Sequence, residues 1–137
     1  MSFTYTYFKQ DQYLLFVHAG ELNDVSVNDF LEKGICTVVD HHVYKMINDY
    51  RNVDLHLSAS KLIDIQRFVS EGFLAKGVDP RKISRALVIN ENGDTQGYYK
   101  IFETINLNHE LRVKLFVDMD QAVQWIEEFP GDPGQHR

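Results

Sequence analysis

The stretch ISRALVIN, residues 83–90, is mostly apolar, with an unbroken apolar run from Ala86 to Ile89. A strand that is covered on both faces reads as an almost continuous apolar run, whereas a half-exposed strand alternates apolar and polar residues. This stretch therefore predicts a central strand of a parallel sheet. Helical periodicity flanks it on both sides, because apolar residues recur there at steps of three and four. These apolar faces comprise Leu62, Ile65, Val69 and Phe73 before the strand, and Tyr98, Ile101, Phe102 and Ile105 after it.

The N-terminal half adds a pair of strands and a long amphipathic segment. Residues 3–9 and 13–19 are rich in aromatic and β-branched side chains around the polar QDQ, which predicts a hairpin whose second strand ends at Gly20. Residues 27–50 then place apolar side chains three and four residues apart, the spacing of one helix face. We expect one helix or two here, with Gly34 at a close contact or at the break.

The remaining segments complete an alternating order of strands and helices. Apolar and polar residues alternate around 53–57 and in 111–118, which predicts two more strands, and Asp118 is placed to cap a closing helix. The order is β-β-α-β-α-β-α-β-α, which predicts a single α/β domain over 1–129, a mixed and mostly parallel sheet packed with helices. The tail 130–137 contains two prolines and two glycines, so we expect it to be disordered.

Composition and charge argue against several classes of partner. The formal net charge of −6 and the pI of about 5.4 disfavour binding to nucleic-acid phosphates or to anionic lipid surfaces. Cys36 is the only cysteine, so an internal disulfide is impossible, which fits a reducing compartment. The sequence shows neither a signal-peptide pattern nor an apolar run long enough for a membrane span. We expect a cytoplasmic protein.

The triplet Asp40-His41-His42 is the first candidate for a metal site, since such a triplet binds metal in phosphoesterases. Adjacent residues on a helix point about 100° apart, however, and ligands on one helix lie three or four residues apart. No HExxH or CxxC spacing is present either. His18 and His56 fall on predicted strands, where their rings would meet if the strands were neighbours. We predict no metal site, and a half-buried His42 on the apolar stripe.

Nucleophilic catalysis finds little support in the sequence. Cys36 lies beside the apolar stripe of the predicted helix, as a buried or half-buried small residue does, and no GxSxG motif is present. Ser58 and Ser60 precede a predicted helix, so helix capping explains both. An exposed helix start at the end of a parallel strand would also bind an anion or accept a phosphate, and this alternative stays open.

The loop NENGDTQG, residues 90–97, follows the predicted central strand. Loops in this position often form the ligand edge of an α/β sheet. Asn92, Gly93, Asp94 and Tyr98 are therefore candidate residues of such an edge, although Asp94 also suits the cap of the following helix. Core packing is the alternative role for Tyr98.

Three stretches of the chain resemble the STAS-like superfamily, and more narrowly its SpoIIAA-like group of small bacterial proteins. The first is the initial strand pair ending at Gly20, and the second is RALVIN, from Arg85 to Asn90. The third is LFVDMDQAVQWI, from Leu115 to Ile126, which combines a strand, an acidic cap, a small residue and an aromatic residue. These positions of the third stretch are Phe116, Asp118, Ala122 and Trp125.

The resemblance implies a binding or regulatory module rather than an enzyme. In the anti-anti-sigma branch, a serine at the start of the helix after the third strand is phosphorylated, in an Asp-Ser-Ser-Gly setting. The corresponding stretch here is LSASKL, residues 57–62, which places Ser58 and Ser60 near that position. The preceding Asp and the following Gly of that setting are absent from this sequence.

Together these observations predict a non-enzymatic regulatory or binding protein that acts through a protein partner or a small ligand, without a cofactor. The alternative is a carrier of lipid or another hydrophobic small molecule, in which the segment 27–50 would form the lid of an aromatic pocket. A small metal-dependent hydrolase that uses the histidines is the lesser alternative. A homodimer formed through the first strand or an exposed helix face is also compatible with the sequence.

Overall fold

The computed structural model describes residues 1–94 and 96–129, and the predicted tail at 130–137 lies outside that part of the chain. The order of strands and helices is the predicted one. The elements are β1 (Ser2–Phe8), β2 (Tyr13–Asn23), α1 (Val27–His41), β3 (Lys45–His56), α2 (Ala59–Ala75), β4 (Ser84–Val88), α3 (Tyr98–Asn108), β5 (Arg112–Phe116) and α4 (Met119–Glu127). None of the helices in the described ranges is long and apolar enough to cross a membrane.

The five strands form one sheet in chain order, from β1 to β5. β1 runs antiparallel to β2, and all other neighbouring strands are parallel, so the predicted mixed and mostly parallel sheet is confirmed. β4 is buried at all five positions between β3 and β5, as its continuous apolar run predicted. The carboxyl ends of β2, β3 and β4 point in the same direction. β2 and β3 end side by side at Asn23 and His56, whereas β4 ends at Val88 opposite Asp49, seven residues earlier along β3.

Helices cover the two faces of the sheet unequally. α1, α2 and α3 pack on one face, where the larger cluster of buried side chains lies. α4 packs alone on the opposite face against β3, β4 and β5. Its buried residues Ala122 and Ile126 contact a smaller cluster that includes Ile47 and Val88. Asp118 caps α4 as predicted, because its side chain accepts the backbone N–H groups of two residues in the first turn.

The helical prediction for residues 27–50, as one helix or two, is wrong in its second half. α1 ends at His41, and His42 adopts a left-handed conformation with φ of 54° that stops the helix. β3 begins at Lys45, and its first five residues are all buried. The reason is that β3 is covered on both faces at this point, so the polar alternation that identifies a strand is missing. Residues 53–56 of the alternating stretch belong to the more exposed second half of the same strand, and Leu57 follows its end.

Two predicted roles of glycine also change. Gly20 does not end β2, which continues to Asn23; the pairing with β3 shifts in register just before Gly20, whose φ is +108°. Gly34 marks neither a break nor a close contact, since α1 runs through it and a Cβ built there meets nothing within 4 Å. The close contact lies at Gly72 of α2, where a Cβ would stand 2.8 Å from Cδ1 of Ile35.

Candidate functional site

Ser58 occupies the N-cap position of α2, just after β3 has ended, and its side chain is exposed. Its hydroxyl donates to Asp24 Oδ2 at 2.8 Å, and its backbone N–H donates to Asp24 Oδ1 at 3.1 Å. These two bonds, the backbone bond first, hold the pKa of the Asp24 carboxyl below its ordinary value. Asp24 belongs to the loop between β2 and α1, so Ser58 joins two loops that follow neighbouring parallel strands.

The expected capping role of Ser58 and Ser60 is wrong at the level of the side chains. Ser58 makes no side-chain bond to the first turn of α2, because Asp24 engages its hydroxyl instead. Ser60 lies within that first turn, exposed, with its hydroxyl oxygen 3.4 Å from that of Ser58. Two surface hydroxyls therefore meet at a helix N-terminus, where the free N–H groups and the helix dipole favour negative charge.

The loop predicted to form a ligand edge follows the carboxyl end of β4. Asn92 and Gly93 lie in a short 3-10 turn, and the Asn92 side chain is exposed. Asp94 Oδ1 accepts the backbone N–H of Tyr99 at 3.3 Å, so it caps the first turn of α3, which begins at Tyr98. Tyr98 is half-buried and lines an internal cavity.

That cavity has a volume of about 90 Å³ and lies between the sheet and helices α1, α2 and α3. Most of its wall is apolar, with Val27 and Leu31 from α1, Leu62 from α2 and Phe102 from α3 among its residues. The polar exceptions come from three strands and the first turn of α3, and they are His18, Asn48, Tyr50, Arg85, Tyr98 and Tyr99. The lid expected over residues 27–50 is wrong, since only its first part is helical, but the aromatic pocket is present.

His18 is held within the wall of this cavity by rings and by one hydrogen bond. Its imidazole stacks on Tyr50 with centroids 4.5 Å apart and lies parallel to Phe16 at 6.0 Å. Nε2 donates to Asn48 Oδ1 at 2.9 Å, which leaves Nδ1 as a buried acceptor without a partner in the described residues. Burial lowers the pKa of His18 to about 4, so the ring is neutral at physiological pH.

Arg85 brings a cation into the same wall from β4. Its Nη2 donates to Asn106 Oδ1 at 2.8 Å, and the amide nitrogen of Asn106 donates to the Phe102 carbonyl at 2.7 Å, which fixes Asn106 on α3. Burial lowers the pKa of Arg85 to about 10, and burial raises the pKa of the neighbouring Tyr50 to about 12. Within residues 1–94 and 96–129, no carboxylate forms an ion pair with Arg85.

Among the residues of this cavity, only Tyr98 is one of the candidate site residues predicted from the sequence. His18 was noticed only as a possible ligand of a metal, and Arg85 only as part of an apolar strand. A signal was present in the second case, because an arginine inside a strand that is otherwise apolar must be buried with it. The partners of these residues, Asn48 and Asn106, lie 30 and 21 residues away along the chain.

The histidines do not converge on a metal site. Asp40 is exposed, His41 Nδ1 donates to the Thr37 carbonyl at 2.8 Å, and His42 is exposed rather than half-buried, because the helix ends there. His56 pairs with Asp54 at the surface, which raises the pKa of that imidazole through the hydrogen bond. In the described residues, no three His, Cys, Asp or Glu side chains lie close enough together to hold a metal ion.

His18 and His56 lie on neighbouring strands but have separate partners, because His56 stands at the far end of the ladder opposite Asn23. Cys36 is half-buried, as expected. Its thiol lies 3.5 Å from Glu32 Oε1 and has a pKa raised chiefly by burial, which disfavours the nucleophilic thiolate.

Comparison with known proteins identifies the fold. No family model matches the sequence, and no curated protein does. Among solved structures, an anti-sigma factor antagonist from Mycobacterium paratuberculosis has a TM-score of 0.57 and 16% identity, over 91% of this chain and 94% of that chain. An uncharacterised protein with a SpoIIAA-like fold from Shewanella loihica PV-4 has a TM-score of 0.57 and 17% identity, over 91% and 92%.

The unphosphorylated form of the anti-sigma factor antagonist SpoIIAA has a TM-score of 0.50 and 11% identity, over 91% of this chain and 97% of that chain. These likenesses extend along nearly the whole of each chain, although few residues are shared. This chain therefore adopts the SpoIIAA-like fold, with a five-stranded, mostly parallel sheet and four helices.

Proposed function

We propose that the protein is a non-enzymatic, cytoplasmic regulatory protein that binds a protein partner through the edge that follows the carboxyl ends of β2, β3 and β4. The observation that carries this proposal is the exposed Ser58 hydroxyl bonded to Asp24 of the adjoining loop. Two proteins of similar fold are anti-sigma factor antagonists, a class that acts on other proteins, and this supports a partner-binding role. We include in the proposed surface Ser60, which lies beside Ser58, and the loop and helix start after β4 with Asn92, Gly93, Asp94 and Tyr98.

A charge on Ser58 would change this surface directly. A phosphate removes the hydroxyl donor and places negative charge beside the Asp24 carboxylate, while the N-terminus of α2 stabilises the new anion. Repulsion would then break both bonds between Ser58 and Asp24 and release the loop that follows β2. Val25, which is 94% exposed in that loop, would move with it. Phosphorylation of Ser58 would thereby change the conformation of the surface to which a partner binds.

The test is capture of partners from an extract of the source cells, followed by direct measurement of affinity for the protein identified. We expect Ser58→Asp to weaken that affinity about tenfold or more, the effect of losing one or two charge-assisted hydrogen bonds. Ser58→Ala removes the hydroxyl without adding charge and should have a smaller effect. Thr104→Asp is the matched control, since Thr104 is exposed two turns along α3 from this edge.

Two outcomes would contradict the proposal. Equal affinity of the partner for the wild type, Ser58→Asp and Ser58→Ala would show that this edge is not where the partner binds. If the wild-type chain enriches no protein relative to beads alone, the proposal that it binds a protein partner is contradicted. The expected homodimer remains a prediction, and sedimentation equilibrium should precede the capture because a second copy would compete for an exposed edge.

The cavity favours a second candidate function, which is binding of a small apolar molecule in the interior. Its largely apolar wall, together with a few convergent polar groups, is typical of small-molecule sites. Native mass spectrometry of protein purified without added ligand tests this function. A bound molecule appears as excess native mass that is lost on denaturation, and a bare mass at all stages of purification would argue against a tightly held ligand.

A further inference from the structure

We propose that the internal cavity binds a short-chain monocarboxylate, with the carboxylate on Arg85 and the apolar part in the space beneath α1. This inference rests on the second candidate function, binding of a small molecule in the interior. It adds the chemical class of the ligand, and it assigns a role to a buried cation that neither the sheet nor the proposed partner edge requires.

Arg85 is the central observation. Its side chain is buried, and a buried cation is costly unless it is paired and fully hydrogen-bonded. The single side-chain bond to Asn106 uses only one of the several N–H donors of the guanidinium, and no carboxylate among the described residues pairs with it. A planar guanidinium matches a carboxylate in a two-point contact, which would supply both the missing charge and the missing acceptors.

The position of Arg85 is set before any ligand arrives. Asn106 is completely buried, and its amide nitrogen is held by the Phe102 carbonyl at 2.7 Å, so its oxygen stays directed at Arg85. One donor of the guanidinium is anchored in this way, and the Arg85 side chain lines the cavity. Such preorganisation lowers the cost of ordering on binding.

Two residues of the wall each carry a buried polar atom without a partner among the described residues, the hydroxyl of Tyr99 and Nδ1 of His18. A ligand carboxylate that draws the Tyr99 hydroxyl toward the cavity would accept a hydrogen bond from it. With a single cation in an apolar wall, the cavity favours an ion of one negative charge over a multiply charged ion such as phosphate.

The size of the cavity limits the ligand. An engineered apolar cavity of about 150 Å³ accommodates benzene, and this cavity measures about 90 Å³. The ligand must therefore be smaller than benzene, as propionate is. Gly34 lines the cavity in the middle of α1, and a Cβ built there meets nothing within 4 Å. A glycine inside a helix costs stability relative to alanine, and here it leaves room beside the cavity.

The first test compares propionate with propionamide, which has the same shape and no charge, by NMR titration of the full chain. We expect propionate to bind about tenfold more tightly or better, because bonds to a charged group are stronger than neutral ones. Equal binding of both would overturn the carboxylate site but leave the second candidate function standing. Binding of neither would overturn both, and tighter binding of inorganic phosphate in the same cavity would overturn the monocarboxylate class.

Two variants locate the site without removing Arg85, whose loss risks unfolding. Tyr99→Phe deletes only the unpartnered hydroxyl, so it should weaken propionate several-fold and weaken propionamide less, because a bond to a charged acceptor is the stronger one. Gly34→Leu fills the cavity without touching a polar group and should abolish binding of both, whereas Asn28→Leu, at an exposed position of α1 outside the cavity wall, is the control that retains it. Undiminished propionate binding by a folded Gly34→Leu, or by Tyr99→Phe, would place the ligand elsewhere and overturn the proposal.

Discussion

At the scale of a single residue, His18 shows how burial converts a titratable group into a structural one. The ring is neutral, flanked by Tyr50 and Phe16, and bonded to Asn48. Its pKa is about 4 in the folded protein, because burial disfavours the charged form, against 6.5 as the ordinary value. Between these two pH values the unfolded chain binds more protons than the folded chain. His18 therefore destabilises the fold progressively as the pH falls from 6.5 to 4, and has no such effect above 6.5.

We predict that the wild-type protein loses roughly 2 kcal/mol of unfolding free energy between pH 7.5 and pH 5 through this one group. Urea unfolding at the two pH values measures the loss. His18→Gln keeps a side-chain donor for Asn48 but does not titrate, so its pH dependence in this window should be shallower by that amount. His42→Gln, at an exposed position, is the matched control and should retain the wild-type slope. Equal slopes for the wild type and His18→Gln would contradict the prediction.

At the scale of an element, α1 and α2 each contain a glycine, and the two differ in whether there is room for a side chain. Gly34 faces open space in the middle of α1, whereas Gly72 allows α2 to approach Ile35 of α1. Alanine has the higher helix propensity, by about 1 kcal/mol per residue. The gain should be realised in full only at Gly34, because a Cβ at Gly72 would stand 2.8 Å from Cδ1 of Ile35, which is itself buried.

We therefore predict that Gly34→Ala raises the unfolding free energy by up to about 1 kcal/mol, and that Gly72→Ala lowers it by roughly 1–3 kcal/mol through overpacking. Chemical denaturation of the two variants gives the comparison. Ile35→Val removes the obstructing Cδ1, so Gly72→Ala should be much less harmful in that background. If Gly72→Ala costs as much in the Ile35→Val background as in the wild type, the steric explanation is wrong.

At the scale of the whole molecule, the same strands contribute side chains to the hydrophobic clusters on both faces of the sheet. β3 and β4 have both faces covered, by three helices on one side and by α4 alone on the other. Loss of α4 would expose the apolar face formed by residues such as Ile47 and Ala86. The two layers should consequently unfold together rather than in separate steps.

Ile126→Ala tests this coupling. Ile126 is completely buried under α4, so we predict a loss of roughly 2–5 kcal/mol, as for other large-to-small changes in cores. Trp125, the only tryptophan, reports on α4 by fluorescence, while circular dichroism reports on all elements. Both signals should shift to the same lower midpoint. Ile101→Ala, at a position that is 43% exposed, is the control and should cost less than about 1 kcal/mol. Separate midpoints would show that the α4 face unfolds independently.

The amino-acid sequence by itself determined the order of strands and helices, the parallel sheet and the burial of β4. These properties follow from local periodicity, since the spacing of apolar residues along the chain indicates which face of a helix or strand is buried. The capping of α4 by Asp118 was likewise a local contact. The same reasoning failed over residues 43–50, because a strand buried on both faces loses its alternation and the spacing then imitated a helix.

Only the tertiary structure determined which residues come together at the candidate sites. Ser58 meets Asp24 across 34 residues, His18 meets Asn48 across 30, and Arg85 meets Asn106 across 21. These partners depend on the register of parallel strands and on the packing of helices over the sheet, which no local pattern encodes. Sequence position predicted that Ser58 lies at the start of a helix. The Ser58 hydroxyl is directed at Asp24, and Arg85 lines a cavity, only because segments distant in sequence pack together.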